Sequence, residues 1–143
     1  MPAWVAAGFN EYNKRLPREL HLNLVEIPPV VRTKSATTKK NLTEEARRIQ
    51  AAIPDNALVI ALDEHGVQFD SDTLSRKIET WSRQGQSLAF IIGGADGLAP
   101  SLRDKATIAF GAATWPHQLV RIMLMEQIYR AVTILSGHPY HRS

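Results

Sequence analysis

The sequence contains no cysteine among its 143 residues. That absence excludes a disulfide scaffold, a thiolate zinc site and a cysteine nucleophile. Long apolar runs are missing too, since the longest, such as residues 88–92 and 122–125, are far shorter than the ~20 residues of a membrane span. The N-terminus also lacks a basic region followed by an apolar stretch, so we expect a cytoplasmic protein.

The overall amino-acid composition is that of an ordinary folded domain. Apolar residues make up 44% and charged residues 22%, and the length lies close to the commonest domain size, which predicts one domain over residues 1–143. Seventeen Lys and Arg outnumber 14 Asp and Glu, for a formal charge of +3. This balance favours polyanionic partners, but by itself it does not establish RNA as one of them.

The spacing of apolar residues predicts alternating helices and strands. Helices are predicted at residues 2–16, 38–53 and 70–84, from about residue 100, and at 116–136; strands are predicted at 20–27, 57–62, 87–92 and 108–113. The runs 57–62 and 87–92 are continuously apolar, as in strands buried on both faces. This order predicts an α/β fold with a mostly parallel sheet flanked by helices.

Two loops that follow predicted strands have compositions suited to a ligand. Residues 93–97 are Gly-Gly-Ala-Asp-Gly and follow a buried strand, where open α/β sheets bind ligands, but they match neither the dinucleotide fingerprint nor a P-loop. Residues 110–117 combine small side chains with a proline, so main-chain groups there could contact an adenine edge. For the first loop, a structural tight turn is at least as good an interpretation as a ligand contact. For the second, a loop packed tightly against a neighbour is an equal alternative.

The last predicted helix has a broad apolar face with Arg121 in its middle. Because a buried unpaired guanidinium is very costly, Arg121 should either pair with a core carboxylate or lie beside a ligand, and we favour the ligand. Leu119, Met123 and Ile134 add apolar groups on other sides of the helix. A homodimer contact would explain this pattern, and a central helix wrapped by its own domain is the alternative.

The C-terminal tail, residues 137–143, is rich in groups that bind or titrate. Its two histidines, tyrosine and arginine could hold phosphate, stack on a base or move a proton. We expect no metal site, because two histidines without a carboxylate seldom hold a metal in an extended tail. A frayed terminus without function is the alternative.

Four motifs, taken in order, resemble one protein family. They are Ile-Ile-Gly-Gly-Ala-Asp-Gly-Leu at 91–98, Trp-Pro-His-Gln-Leu-Val-Arg at 115–121, Glu-Gln-Ile-Tyr-Arg-Ala at 126–131 and His-Pro-Tyr-His-Arg at 138–142. Together they are similar to the RlmH family of ribosomal large-subunit pseudouridine N3-methyltransferases, in the SPOUT superfamily, and the likeness covers essentially the whole chain. The resemblance implies a C-terminal trefoil knot, a homodimer and S-adenosylmethionine as the cofactor.

The resemblance further implies methylation of N3 of a pseudouridine in helix 69 of 23S rRNA, within the assembled ribosome. A ribosome- or RNA-binding module of the same fold with impaired catalysis is the alternative. By position, the cofactor-binding residues would be Leu62, Gly93, Gly94, Phe110, Gly111, Ala112, Ala113, Thr114 and Trp115. The candidates for RNA placement and proton handling are Arg130, His138, Tyr140, His141 and Arg142, none of which is assigned as the general base.

Members of this family usually begin with a short hydrophobic strand that precedes the first helix. This chain begins at that helix, so we expect its sheet to lack the first strand.

Overall fold

A computed structural model of the chain describes residues 1–31, 37–94, 97–103, 106–137 and 140. The helices of this part are α1 (Ala3–Arg15), α2 (Thr38–Ala52), α3 (Ser71–Ser82), α4 (Pro100–Arg103) and α5 (His117–Ser136), with a 3-10 turn at Arg18–Leu20. The strands are β1 (Leu58–Gln68), β2 (Leu88–Ile92) and β3 (Ala106–Ala109). Within these ranges no strand precedes α1, and no helix is long and apolar enough to cross a membrane.

The three strands form a parallel sheet in the order β2-β1-β3. Leu62 at the middle of β1 is level with Ile92 in β2 and with Ile108 in β3. The continuously apolar start of β1 is buried, as the sequence predicts for a central parallel strand. The α/β fold with a parallel sheet flanked by helices is therefore confirmed.

Successive residues of β1 face opposite sides of the sheet and join two separate cores. Ile60 and Leu62 pack into a core under α1, α3 and α5, whereas Ala61 packs into a second core under α2 and α4. In the first core α5 lies against both α1 and α3. The sheet is thus covered by helices on both faces.

The predicted helices begin and end where local signals place them. The Asp70 carboxylate accepts a hydrogen bond from the backbone N–H of Thr73 at 2.7 Å and caps α3, while the Thr37 hydroxyl accepts one from Lys40 N–H at 3.1 Å and caps α2. Pro116 precedes α5, and Gly137 ends it in a left-handed conformation. The boundaries of α1, α2, α3 and α5 agree with the predicted ones to within about two residues, and α4 begins at Pro100, where a helix is predicted to start.

The predicted strand at residues 20–27 is wrong. After the 3-10 turn the chain is not part of the sheet, although Leu22 and Leu24 pack against the first core. The side-chain amide of Asn13 forms the hydrogen bonds that a neighbouring strand would form with Leu22. It accepts from Leu22 N–H at 2.8 Å and donates to Leu22 C=O at 3.1 Å. Alternating apolar residues therefore identified a buried face here but not a strand partner.

Two other strands differ from prediction in their extent. The third strand ends at Ala109 rather than residue 113, and β1 continues to Gln68 with a shift in register between Leu62 and Val67. In this irregular stretch a Cβ on Gly66 would lie 2.7 Å from the backbone carbon of Ile108. Glycine is needed there because β1 and β3 approach too closely for any side chain.

Candidate functional site

A cavity of about 590 Å³ opens where the three parallel strands come level. It is lined by Leu62, Ile92 and Ile108 of the strands and by described residues of the two loops that the sequence singled out. From the first loop these are Gly93, Gly94 and Gly97, and from the second they are residues 110, 111 and 113–117. The carboxyl ends of parallel strands are the usual place for a ligand in an open α/β sheet. The structure therefore brings the two loops together around one site, which we call the strand-end cavity.

Eight of the nine predicted cofactor-binding residues line the strand-end cavity. They are Leu62, Gly93, Gly94, Phe110, Gly111, Ala113, Thr114 and Trp115. Ala112 is the exception, because it lies in the same loop but is exposed and is not part of the lining. Its predicted contact with a ligand has no support in this geometry.

The described glycines of the first loop, Gly93, Gly94 and Gly97, both form a tight turn and line the strand-end cavity. Gly97 N–H donates to the carbonyl of Gly94 at 3.0 Å, and a Cβ on Gly93 would lie 2.5 Å from the backbone of Gly97. Gly94 N–H also points to the carboxylate of Glu45 in α2, at 3.4 Å. The two interpretations of this loop are compatible, because the glycines that the turn requires also line the cavity.

The second loop is fixed by two hydrogen bonds. The indole N–H of Trp115 donates to the carbonyl of Phe110 at 2.8 Å and closes the loop on itself. The hydroxyl of Thr114 donates to the carboxylate of Glu64, which ties the loop to the irregular part of β1. These bonds hold the small residues between Phe110 and Trp115 over the cavity.

Two carboxylates at the cavity, those of Asp63 and Glu64, were missed by the sequence reasoning. The Asp63 carboxylate accepts from the backbone N–H of His65 at 2.9 Å, and Glu64 receives Thr114 as described. Their position directly after a buried apolar run was the signal that could have identified them. Together they give the cavity a negative edge, which suits a cationic ligand.

Arg121 forms an ion pair and does not line the strand-end cavity. Its guanidinium lies 2.6 Å from the carboxylate of Glu26, and its side chain is 16% exposed. The same contact lowers the pKa of Glu26 below its ordinary value, because the Arg121 hydrogen bond favours the charged carboxylate. Arg121 is thus ion-paired, as the alternative has it, but its partner is a half-exposed carboxylate rather than a core one, and Arg121 is not among the residues that line this cavity.

Two of the five residues assigned to RNA placement and proton handling meet on one carboxylate. Arg130 Nε donates to Glu126 at 3.0 Å, and the Tyr140 hydroxyl donates to the same carboxylate oxygen at 3.2 Å. The Tyr140 ring also lies edge-on to Tyr129, with 4.6 Å between the ring centroids. His138, His141 and Arg142 lie outside the described residues.

The environment of Tyr140 determines which proton role it can take. Burial raises the pKa of its hydroxyl to about 12, with further contributions from the Tyr12 hydroxyl and from Glu126. The hydrogen bond to Glu126 likewise raises the pKa of Arg130. At neutral pH both side chains are hydrogen-bond donors, so neither can act as a general base.

The apolar surface of α5 is largely covered within its own chain. Each residue of 117–134 is buried or half-buried between α1, α3 and the sheet, and exposure begins only at Leu135. The breadth of the apolar pattern is thus accounted for by the alternative of a helix wrapped by its own domain. A second chain is not required to explain it.

The chain is similar to known methyltransferases over its whole length. A family model described as "Predicted SPOUT methyltransferase" matches residues 1–141. The ribosomal RNA large subunit methyltransferase H of Nitrosospira multiformis is 47% identical over 145 aligned residues, which cover 100% of this chain and 93% of that protein. The proteins of the same name from Burkholderia mallei and Burkholderia pseudomallei are 46% identical with the same coverage.

Proposed function

Because the chain belongs to the SPOUT methyltransferase family, and within it to the RlmH group, we propose that it methylates N3 of a pseudouridine in helix 69 of 23S rRNA. The methyl donor would be S-adenosylmethionine, and the substrate would be the assembled ribosome. The observation that carries this proposal is the strand-end cavity, where eight of nine predicted cofactor residues converge.

The strand-end cavity fits the chemistry of S-adenosylmethionine. Gly93, Gly94 and Gly111 line it without side chains of their own, so a ligand could approach the main chain closely, as recognition of an adenine edge requires. The carboxylates of Asp63 and Glu64 lie at the same cavity and complement the positive charge of a sulfonium and an amino group. When bound, S-adenosylmethionine supplies a methyl group that is activated by its attachment to sulfur.

The residues of this chain would contribute position and electrostatics. Leu62, Ile92 and Val120 give the cavity apolar surfaces that exclude water. The hydrogen bond from Thr114 to Glu64 holds the second loop in place before any ligand binds, so little ordering remains to be done on binding. Such a preformed site accelerates a transfer reaction by fixing the distance and angle between the reacting atoms.

The part of the site that contacts RNA would be formed by the C-terminal half of α5 and the tail that follows it. Arg130 lies beside the Tyr140 ring and keeps N–H groups beyond those that it donates to Glu126, so its guanidinium is suited to a phosphate or a base carbonyl of the RNA. His138, His141 and Arg142 stay candidates for RNA placement and proton handling on the sequence motif alone. Deletion of residues 138–143 should spare cofactor binding, measured by calorimetry, and reduce methyl transfer at least about a hundredfold. Transfer that survives the deletion would favour the frayed-tail interpretation.

We further propose a trefoil knot around the cofactor loops, a homodimer and a cytoplasmic location. Analytical ultracentrifugation of the purified chain tests the homodimer, since a monomer at micromolar concentration would contradict it. Basic residues exceed acidic ones by three, which suits association with a large RNA assembly.

The decisive experiment maps rRNA methylation in a strain that lacks the corresponding gene. Ribosomes from that strain are incubated with this chain and labelled S-adenosylmethionine, and the modified nucleotide is located by mass spectrometry. We expect one methyl group per large subunit, on N3 of a pseudouridine in helix 69. Stable ribosome binding without methyl incorporation would instead identify the catalytically impaired binding module.

A further inference from the structure

The first loop of the strand-end cavity is made largely of glycine, so its conformation depends on the contacts around it. Gly93, Gly94 and Gly97 give this backbone more freedom than other residues would. Ile91 and Leu98 are buried and fix where the loop begins and ends. The bond between Gly97 N–H and Gly94 C=O then closes the turn on itself. A contact from another element is still needed to hold the turn against the rest of the fold.

Glu45 of α2 supplies this contact. The backbone N–H of Gly94 donates to Glu45 Oε1 at 3.4 Å. A Cβ built on Gly94 would lie 3.4 Å from Glu45 Oε2 and 3.6 Å from Oε1, so both carboxylate oxygens lie against this residue. The two main-chain polar groups of Gly94 are thereby bonded within the protein, its N–H to Glu45 and its C=O to Gly97.

The position of Glu45 on α2 is unusual for a charged residue. Leu42 and Ile49 lie three residues before it and four residues after it, and both pack with Ala46 into the second core. Leu98, which follows the first loop, belongs to the same core. A carboxylate on the core-facing side of a helix costs free energy unless it is hydrogen-bonded. An apolar residue would pack better here, so the carboxylate indicates a role other than packing.

The second loop of the cavity is held in a comparable way. Glu64 of β1 accepts from the hydroxyl of Thr114, as Glu45 of α2 accepts from the N–H of Gly94. Each loop is therefore bonded to a glutamate from a neighbouring element. Both bonds are present without a ligand, and this reduces the ordering that remains to be done on binding.

We propose that Glu45 is a positioning residue for the cofactor, whose carboxylate holds Gly94, and with it the first loop, in the conformation that binds S-adenosylmethionine. The inference rests on the proposed function, because it takes S-adenosylmethionine to be the ligand of the strand-end cavity. Glu45 is not among the residues that line this cavity, so it acts through the loop. Its loss should weaken binding and leave the transfer step unchanged once the site is filled.

The first test measures the amide of Gly94 in the ligand-free protein. Hydrogen exchange followed by NMR should be at least about fivefold faster at Gly94 in Glu45→Ala than in wild type, because the acceptor is removed. Glu44→Ala is the matched control, since Glu44 lies on the same helix but pairs with Arg47 and Arg48 at 2.7 and 3.1 Å. It should leave exchange at Gly94 unchanged. Equal exchange rates in wild type and Glu45→Ala would overturn the proposal.

Calorimetric titration with S-adenosylmethionine measures the effect on binding. We expect a Kd about tenfold higher in Glu45→Ala, and a wild-type Kd in Glu44→Ala. Glu45→Gln keeps an oxygen acceptor at the same reach, so its Kd should stay within about threefold of wild type. An unchanged Kd in Glu45→Ala would contradict the positioning role. A Kd for Glu45→Gln as high as that of Glu45→Ala would also contradict it, because charge rather than position would then be decisive.

Glu45→Leu separates the positioning role from a merely structural one. Leucine fits the apolar side of α2, so thermal unfolding should show a variant at least as stable as wild type. We nevertheless expect its Kd and KM for S-adenosylmethionine to rise about tenfold, with an unchanged kcat at saturating cofactor. A loss of binding that comes only with a loss of stability would make the role of Glu45 structural and overturn the inference.

The two proposals fail in different ways. Wild-type protein that binds no S-adenosylmethionine would refute the proposed function. Exchange at Gly94 is measured without any ligand, so an unchanged rate in Glu45→Ala and Glu45→Leu would refute the role of Glu45 even where wild type binds the cofactor and methylates ribosomes.

Discussion

Beside the strand-end cavity lies a second one of about 600 Å³, lined by residues of α1, the start of α3 and the middle of α5, which we call the helix cavity. The two cavities share Ile108, Ala109, Phe110 and Gly111 but are built in different ways. The strand-end cavity is lined by residues at the ends of the three strands and in the segments that follow them, including Gly93, Gly94 and Gly111. The helix cavity depends on side chains from three helices, such as Tyr12, Ser71 and Gln127, which lie far apart in sequence. A site made of loops after strands is preformed by the sheet, whereas a site made of helix side chains depends on how the helices pack.

We expect the largest effect on cofactor binding from a substitution that disrupts the strand-end cavity. In Gly93→Trp the new side chain must displace the backbone of Gly97, which lies 2.5 Å from the position of a Cβ. We expect the rise in melting temperature caused by S-adenosylmethionine to disappear completely, as measured by differential scanning fluorimetry.

Gly85→Trp is the matched control for that substitution. Gly85 lies in the exposed connection between α3 and β2, and a Cβ there meets nothing within 4 Å. Its left-handed conformation makes the control slightly less stable but leaves the cofactor response intact. A cofactor-induced shift that persists in Gly93→Trp would contradict the assignment of this cavity.

The strand-end cavity could be predicted from the sequence because its signals are local. Apolar runs identified β1 and β2, and glycines directly after a buried strand identified the first loop. Asp63 and Glu64 were missed only because the irregular end of β1 looked like an ordinary turn. The register shift that brings Glu64 to Thr114 is a property of the β1 and β3 pairing.

The helix cavity could not be predicted in the same way. The bond between Ser71 and Gln127 joins residues 56 positions apart, and no periodicity in either helix encodes it. The same reasoning explains why the strand predicted at residues 20–27 is wrong. Apolar and other residues alternate there, but the segment pairs with no strand of the sheet. Sequence patterns report which face of an element is buried, but the partner depends on the packing of the whole chain.

A smaller effect is expected from the hydrogen bond that fixes the second loop. Thr114→Val removes the hydroxyl that binds Glu64 and keeps the shape of the side chain. Loss of one hydrogen bond should weaken S-adenosylmethionine binding about fivefold, measured by calorimetry, because the loop must then be ordered on binding. Thr114→Ser, which retains the hydroxyl, should bind as the wild type does. Equal Kd values for wild type and Thr114→Val would show that the loop is held by other contacts.

The Tyr140 hydroxyl is expected to make the stability of the fold depend on pH. Its pKa is about 12 in the folded chain against an ordinary value of 10.0, so the folded state favours the protonated form. The resulting stability is fully present below pH 10 and is lost as pH rises towards 12. Denaturant unfolding should show a steeper loss in this window for wild type than for Tyr140→Phe. Parallel curves would mean that the hydroxyl is solvated.

The smallest effect is expected for Arg121, which lies outside both cavity linings. Because its partner Glu26 has a pKa lowered from 4.5, the ion pair contributes stability above that pH and loses it as the carboxylate is protonated. Arg121→Leu should therefore be slightly less stable than wild type at pH 7, and the gap should close at acidic pH. Cofactor binding and methyl transfer should be unchanged, since the ion pair links α5 to the segment that precedes α2 rather than to a ligand. A loss of methyl transfer with normal stability would restore the role beside the ligand.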